Sequence, residues 1–174
     1  MKFAADIRKT HVDSPLGPLV LAATDQGLAG LWFDDQKHQP AWAGWPERDD
    51  DPLLQQAVVE LQEYFDGTRT TFTLPLDLRG GTPFQQSVWQ ALLHIPYGVC
   101  TTYGTLSEAL DKPKAVRAVG TAVGHNPLGI IVPCHRVLGA DGSLTGYAGG
   151  LGRKAALLTL ESGARDADDF TLTA

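Results

Sequence analysis

A glycine pair with a helix-start signature directly behind it divides this chain into two stretches of different pattern. Arg79-Gly80-Gly81 runs into Thr82-Pro83-Phe84-Gln85, a capping-box spacing with proline at the first helical position. Ahead of the joint, short runs with strand character come first. Arg8–Asp13, Leu19–Ala23 and Leu28–Phe33 are separated by Ser14-Pro15-Leu16-Gly17 and Asp25-Gln26-Gly27, both rich in turn formers, and this reads as a small antiparallel meander. Residues 34–51 are polar and irregular, and Trp42 and Trp45 there are expected to pin the loop onto the domain. Pro52–Asp66 is a helix capped by Asp51 and stopped by Gly67, with Leu54, Val58, Leu61 and Phe65 as its buried stripe. Thr71–Leu78 is a further strand or an extended linker. Behind the joint the pattern is helical. The first helix buries Phe84, Val88, Leu92 and Ile95 and ends at Pro96. The predicted organisation is an α/β N-terminal domain over 1–80, a mostly α C-terminal domain over 81–163, and a short acidic tail over 164–174.

Thr102–Leu110 and Lys114–Gly124 are two short helices joined by Asp111-Lys112-Pro113, a helix-turn-helix in outline. On spacing alone an ordinary helical hairpin is the better reading, and only the composition of the second helix points further. The second has Val116, Val119 and Val123 as its apolar stripe. After Lys114 at its start, its remaining positions are Ala, Gly and Thr, with Arg117 as the one charge within the helix. A helix with full side chains is roughly 10–12 Å across, whereas the DNA minor groove is about 6 Å wide. A face of small residues is what a helix needs to press into so narrow a groove. Charge distribution agrees. The chain carries −6 overall, but residues 1–80 hold 7 Lys+Arg against 13 Asp+Glu, while residues 81–163 hold 6 against 4. The surplus of positive charge is small, so few phosphate contacts and moderate salt dependence are expected.

Ile130-Ile131-Val132-Pro133-Cys134-His135-Arg136-Val137 carries the chemistry. Pro133 lacks a backbone donor and fixes its φ, giving a stiff, extended approach to the cysteine. A thiol beside an imidazole and a guanidinium sits in a positive field, and the thiolate is the nucleophile. Cysteine alone would equally suit a buried strand; the flanking Pro and His-Arg favour chemistry. Two cysteines, Cys100 and Cys134, are too few for a disulfide framework, and a reactive thiol needs a reducing compartment, so the cytoplasm is expected. The N-terminus has no run apolar enough for a signal peptide, and no segment reads as a membrane span. No metal-ligand spacing is visible: there is no C-x-x-C, and His11, His38, His94 and His125 stand apart. No cofactor is expected. Cys100 reads as a packing residue.

Pro133-Cys134-His135-Arg136-Val137 resembles the active-site motif of the O6-alkylguanine-DNA alkyltransferases, bacterial constitutive type. The resemblance extends through Tyr103, Arg117 within Ala115–Gly120, Asn126-Pro127, Gly146-Tyr147-Ala148-Gly149-Gly150-Leu151, Lys154 and Glu161, dense from Thr82 to Gly163 and faint before it. It implies a ribonuclease-H-like first domain and a winged-helix-like second one. The implied activity is single-turnover repair: an alkyl group, chiefly methyl, moves irreversibly from guanine O6, and from thymine O4, to Cys134 after the base is flipped from the minor groove. In the implied roles, Glu161 holds His135, which takes the thiol proton through a water. Tyr103 crowds the 3′ phosphate and donates to the flipped purine, and Asn126 ties the recognition helix to the cysteine loop. Arg117 fills the hole left by the base, with Tyr103, Gly104, Lys112, Ala118 and Thr121 as further DNA contacts. Val137, Tyr147, Ala148, Lys154 and Gly129 form the base pocket, and Arg136 is a structural ion-pair partner. The implied partner is double-stranded DNA carrying O6-alkylguanine, bound by a monomer, with cooperative loading left open.

Two departures bear on this. Ala148 stands where relatives often have serine, leaving only its backbone amide, and Gly129 stands where some carry a bulky residue, which points to a roomier pocket. A relative type with zinc in the first domain uses cysteines that this chain lacks. Two other readings compete: a DNA-binding signalling protein that recognises the lesion without transfer, though relatives of that kind lack the cysteine, and a cysteine hydrolase built on Cys134 and His135.

Overall fold

The computed structural model describes residues 1–163; the acidic tail expected over 164–174 lies outside them. Three antiparallel strands in the order β1-β2-β3 form the N-terminal sheet: β1 (Arg8–Val12), β2 (Leu19–Thr24) and β3 (Gly27–Phe33), with a register shift at Ala22/Ala23. Both β2 and β3 are buried along their whole length. One face is covered by α1 (Pro52–Phe65). The other is covered by an aromatic cluster in which Trp42, Trp45 and Phe3 pack on Ile7, Ala22 and Trp32, so the two loop tryptophans do hold the irregular 34–51 stretch onto the sheet. Asp51 caps α1 by accepting from Leu53 N and Leu54 N, each at 3.0 Å. The buried face of α1 differs from the expected stripe: Leu54, Ala57, Glu60, Leu61 and Tyr64 are buried, while Val58 and Phe65 are only partly so. Glu60 and Tyr64 can be inside because each has hydrogen-bonding partners there.

The segment before the joint is extended and joins the sheet edge through the single bridge Leu28↔Leu76. Further along the same edge, Leu31 N donates to Pro127 O at 2.8 Å and Gly129 N to Leu31 O at 3.2 Å. The free edge of β3 therefore carries the residues that lead to the cysteine, and the two halves share one hydrophobic core.

The C-terminal half begins with α2 (Pro83–Leu92), whose capping box is formed in full by Thr82 and Gln85. It ends before the expected Pro96. Its buried residues are Val88, Trp89 and Leu92, with Trp89 Nε1 donating to Ala122 O at 2.9 Å. Next come the two-residue β4 (Thr101–Thr102), α3 (Tyr103–Ala109) and α4 (Val116–Gly124). Asp111 closes α3 in the left-handed conformation, φ 57°. The buried side of α4 is Val119, Ala122 and Val123, whereas Val116 is exposed, contrary to the expected stripe. Pure helicity also fails in one place. β4 pairs in parallel with β5 (Val137–Leu138), and this short pairing links the start of α3 to the segment just past the cysteine. The chain closes with α5 (Leu151–Glu161). Among the described residues no helix is long and apolar enough to cross a membrane.

Candidate active site

The apolar run before Cys134 is not extended. Ile130 has φ 70°, an unfavourable region for a β-branched residue, and Val132 N donates back to Leu128 O at 2.8 Å. Cys134, His135 and Arg136 then form one 3-10 turn. The compact turn is held by Asn126, which is buried: its Nδ2 donates to Val132 O at 2.8 Å and its Oδ1 accepts from Leu128 N at 3.0 Å. Asn126 directly follows the cap of α4 at His125, so the same side chain fixes the end of that helix and the turn that presents the thiol.

Behind the turn lies a buried polar cluster centred on Glu161. Its Oε1 accepts from His135 Nε2 at 2.7 Å, from Arg136 Nη2 at 2.8 Å and from the Tyr64 hydroxyl at 2.7 Å; its Oε2 accepts from Arg136 Nε at 2.8 Å. Arg136 Nη1 donates to Ile95 O at 2.6 Å. Burial raises the pKa of Glu161, but His135 and Arg136 outweigh it and hold the carboxyl at about 2. The carboxylate sets the imidazole tautomer. Nε2 carries the proton toward Glu161, which leaves Nδ1 as a lone-pair acceptor, and Nδ1 has no hydrogen-bond partner among the described residues.

The electrostatics correct one expectation. Arg136 turns to Glu161 and Ile95, so its charge is neutralised away from the thiol. Burial pushes the Cys134 thiol above its ordinary value, opposed by the Asn126 amide, the Lys154 charge and backbone amides. Burial also lowers the His135 pKa, opposed by Glu161. The resting pair is a neutral thiol and a neutral imidazole, an arrangement suited to proton transfer during attack and not to a standing thiolate.

Lys154, fully buried, donates from Nζ to Val137 O at 2.6 Å and to Thr145 O at 2.8 Å. Burial lowers its pKa, with Cys134 acting the other way. Its ammonium thus lashes the loop at 145 to the segment after the cysteine. Val137 is also fully buried, and a pocket opens at Cys134. That pocket is walled by Val123, Gly124, Asn126, Gly129, Tyr147 and Ala148. At Gly149 a Cβ would meet the Tyr147 ring at 2.8 Å and Phe33 at 3.0 Å, so only glycine lets the loop lie against β3.

A wider cleft opens next to this pocket, lined by Tyr103, Val116, Arg117, Gly120, Gly124 and Tyr147 among others. Arg117, Ala118 and Thr121 are exposed on α4, and among the described residues no carboxylate pairs with Arg117, neither Glu108 nor Asp111. Lys112 is exposed in the turn between the helices, and Gly104 is partly buried in the first turn of α3. The Tyr103 hydroxyl donates to Thr145 O at 3.2 Å and Gly146 O at 3.3 Å, closing the cleft against the loop.

The N-terminal half contributes groups that the sequence did not single out. Gln36 lines the cysteine pocket, Lys37 and His38 line the cleft, and the His38 ring packs 4.3 Å from His125. Lys37 N donates to Ala148 O at 3.0 Å. Nothing in an irregular polar stretch signals such a role; it arises from where β3 ends. Arg153 clamps the same junction, with Asp35 at 2.6 Å and the Phe33 ring at 4.1 Å.

Two family models match, and together they take in most of the chain. Residues 83–163 match the DNA binding domain of 6-O-methylguanine DNA methyltransferase, and residues 7–78 match its ribonuclease-like domain. The chain belongs to the 6-O-methylguanine DNA methyltransferase family. Relatives within this family include the methylated-DNA–protein-cysteine methyltransferase of Mycobacterium tuberculosis (strain H37Rv), 50% identical over 157 residues that cover 90% of this chain and 93% of the relative. The constitutive methylated-DNA–protein-cysteine methyltransferase of Bacillus subtilis is 46% identical over 159 residues, covering 87% and 93%. Among solved structures, M. tuberculosis OGT in complex with DNA superposes with a TM-score of 0.83 at 48% identity, covering 94% of this chain and 97% of that one. The 6-O-methylguanine DNA methyltransferase fold accordingly accounts for both halves, the small antiparallel sheet and the helical domain.

Proposed function

We propose that this chain repairs alkylated DNA by moving an alkyl group, chiefly methyl, from guanine O6 to Cys134 Sγ, once per molecule, with thymine O4 as a further substrate. Its activity as a methylated-DNA–protein-cysteine methyltransferase follows from family membership; the roles given to individual side chains are those the family resemblance implies, and the site geometry supports them at Cys134, His135, Glu161 and Asn126. The observation that carries the reading is a buried thiol next in sequence to a buried imidazole whose Nε2 is hydrogen-bonded to Glu161 at 2.7 Å and whose Nδ1 has no hydrogen-bond partner among the described residues. As Sγ attacks the alkyl carbon, the S–C bond forms and the C–O6 bond breaks, with the electron pair passing to the purine. The thiol proton goes to His135 Nδ1 through a water, and the growing imidazolium is stabilised by Glu161. Tyr103 donates to the purine as charge builds there.

Residues 81–163 are read as the DNA-binding and acceptor domain and residues 1–80 as the domain that backs it. The flipped base enters the pocket of Gly129, Tyr147 and Ala148, while Val137 and Lys154 support the cysteine segment from behind. α4 presses its Ala118 and Thr121 side into the minor groove, with Gly104 and Lys112 near the backbone and Arg117 in the vacated stack. The partner is a duplex carrying the lesion, engaged by one copy of the chain.

Two variants separate these roles. Arg117→Ala is expected to lower the rate on duplex DNA by tenfold or more while leaving the rate on free O6-benzylguanine within about twofold, since an exposed, unpaired side chain contributes little to the fold. Equal losses on both substrates would place Arg117 in the pocket or in folding. Tyr103→Phe is expected to fold normally and to slow transfer on the free base as well, because the donor to the purine is gone. An unchanged free-base rate removes the proton-donor role and leaves only base flipping.

A further inference from the structure

We propose that Tyr64, on α1 of the N-terminal domain, is a positioning residue of the transfer site: its phenol donates to Glu161 Oε1 and so sets how strongly Glu161 holds His135. The proposal rests on the reading of His135 as the base for Cys134, and it assigns the first domain a part in tuning that base. Tyr64 and Glu161 are 97 residues apart, both are buried, and their oxygens are 2.7 Å apart. The oxygen that Tyr64 reaches is the one that also accepts from His135 Nε2 at 2.7 Å. A purely structural tyrosine hydroxyl at this spot would be satisfied by any buried carbonyl; here it meets the carboxylate that orients the imidazole.

The groups facing Glu161 come from each packed element. Tyr64 comes from α1. Tyr97, from the segment after α2, lies with its ring 6.1 Å from that of Tyr64 and under the Arg136 guanidinium. His135 and Arg136 come from the 3-10 turn, and Lys154 from α5 itself adds positive charge that acts on His135. Gly98 N donates to Oε2 at 3.4 Å. Among the side-chain donors to Glu161, Tyr64 comes from the N-terminal half and His135 and Arg136 from the cysteine turn. The Tyr64 ring is further wedged among Phe65, Phe72 and Tyr97, so the hydroxyl is delivered at a fixed point.

The sign follows from charge. A hydrogen bond from the phenol withdraws electron density from Oε1 and makes it a weaker partner for an imidazolium. With the phenol present, His135 stays neutral at rest and accepts a proton only as the thiol attacks. Removing the hydroxyl strengthens the carboxylate and raises the proton affinity of His135. A stronger donor at the same place lowers it.

The test is 15N NMR titration of the His135 imidazole in the full chain for three proteins: wild type, Tyr64→Phe, and the chain with 3-fluorotyrosine at position 64. The expected midpoints run in one order, fluorotyrosine lowest and Tyr64→Phe highest, with the phenylalanine variant about half a pH unit or more above wild type. Shifts of opposite sign from two near-isosteric changes cannot come from loosened packing, and the fluorinated protein keeps the test decisive if the phenylalanine variant folds poorly. Midpoints that coincide, or an imidazole that stays neutral in all three down to acid unfolding, overturn the proposal. The pH profile of transfer from O6-benzylguanine is recorded alongside. If the midpoints move in the expected order and that profile does not, the role of Tyr64 stands and the base role of His135 falls.

Discussion

With methylated duplex in large excess, each mole of protein is expected to remove one mole of methyl and then stop. The product at Cys134 is a thioether. Hydrolysis of an acyl-enzyme proceeds because a carbonyl accepts water and an oxyanion hole stabilises the adduct; an alkyl thioether offers no such carbon, and thiolate is a poor leaving group. The cysteine is also buried in a turn whose neighbours are fixed by Asn126. An added methyl in so packed a place costs ~1–3 kcal/mol, and for a chain of this length each kcal/mol lowers Tm by roughly 2–4 °C. The spent protein should therefore melt several degrees below the fresh one. Asn126 ties the turn to the end of α4, so the strain is expected to reach the recognition helix and weaken DNA binding. Cys134→Ser is expected to bind lesion DNA and transfer nothing. Methyl groups removed per protein are counted with radiolabelled substrate, and calorimetry before and after reaction reads the strain. A ratio well above one contradicts single use, whereas an unchanged Tm contradicts the strain alone.

Glu161→Gln should have the second large effect, on stability and on chemistry together. Removing the charge leaves the buried Arg136 guanidinium unpaired, and losing one partner of a buried ion pair typically costs ~3–5 kcal/mol. The pH dependence reports the same interaction, since His135 and Arg136 are what hold the carboxyl down. The folded carboxyl sits near 2 against an ordinary 4.5, a difference worth about 3 kcal/mol at neutral pH. Because the folded value is depressed, this stabilisation is complete above the unfolded value and is lost as pH falls from about 4.5 to about 2. Urea melts across pH 2–7 should show wild type losing that increment in this window and the variant lacking it. In the variant a neutral amide replaces the carboxylate, so an imidazolium at His135 is no longer stabilised by charge and thiol alkylation should require higher pH. An unshifted alkylation profile would take Glu161 out of the proton path while leaving its structural role.

Much of this site was legible in the sequence because it is local. Cys134, His135 and Arg136 share one turn, and the capping box at Thr82–Gln85, the Asp51 cap and the three-strand meander depend on near neighbours. What escaped was set by contacts between distant segments. The parallel pairing of β4 with β5 involves two residues on each side, too short for a periodic signal. The left-handed Ile130 breaks the extended approach that Pro133 suggested, since Asn126 and the edge of β3 impose the turn. Burial reverses the expected effect on the thiol, and no adjacent residue reports burial. Glu60 and Tyr64 lie on the buried face of α1 because Thr73 and Glu161 wait there as partners, so a stripe drawn from apolar residues alone is rotated. The tether that Lys154 makes between Val137 and Thr145 likewise depends on segments brought together by the fold.

The central claim is that the alkyl group ends on Cys134 Sγ. Intact-mass spectrometry of the full chain, before and after one equivalent of duplex carrying O6-methylguanine, followed by fragmentation of the peptide containing 133–137, tests it directly. The expected result is a gain of one CH2 unit in all of the protein, located on Cys134, with the guanine restored in the DNA. Restored guanine beside protein of unchanged mass, or a methyl group located on any other residue, would contradict it.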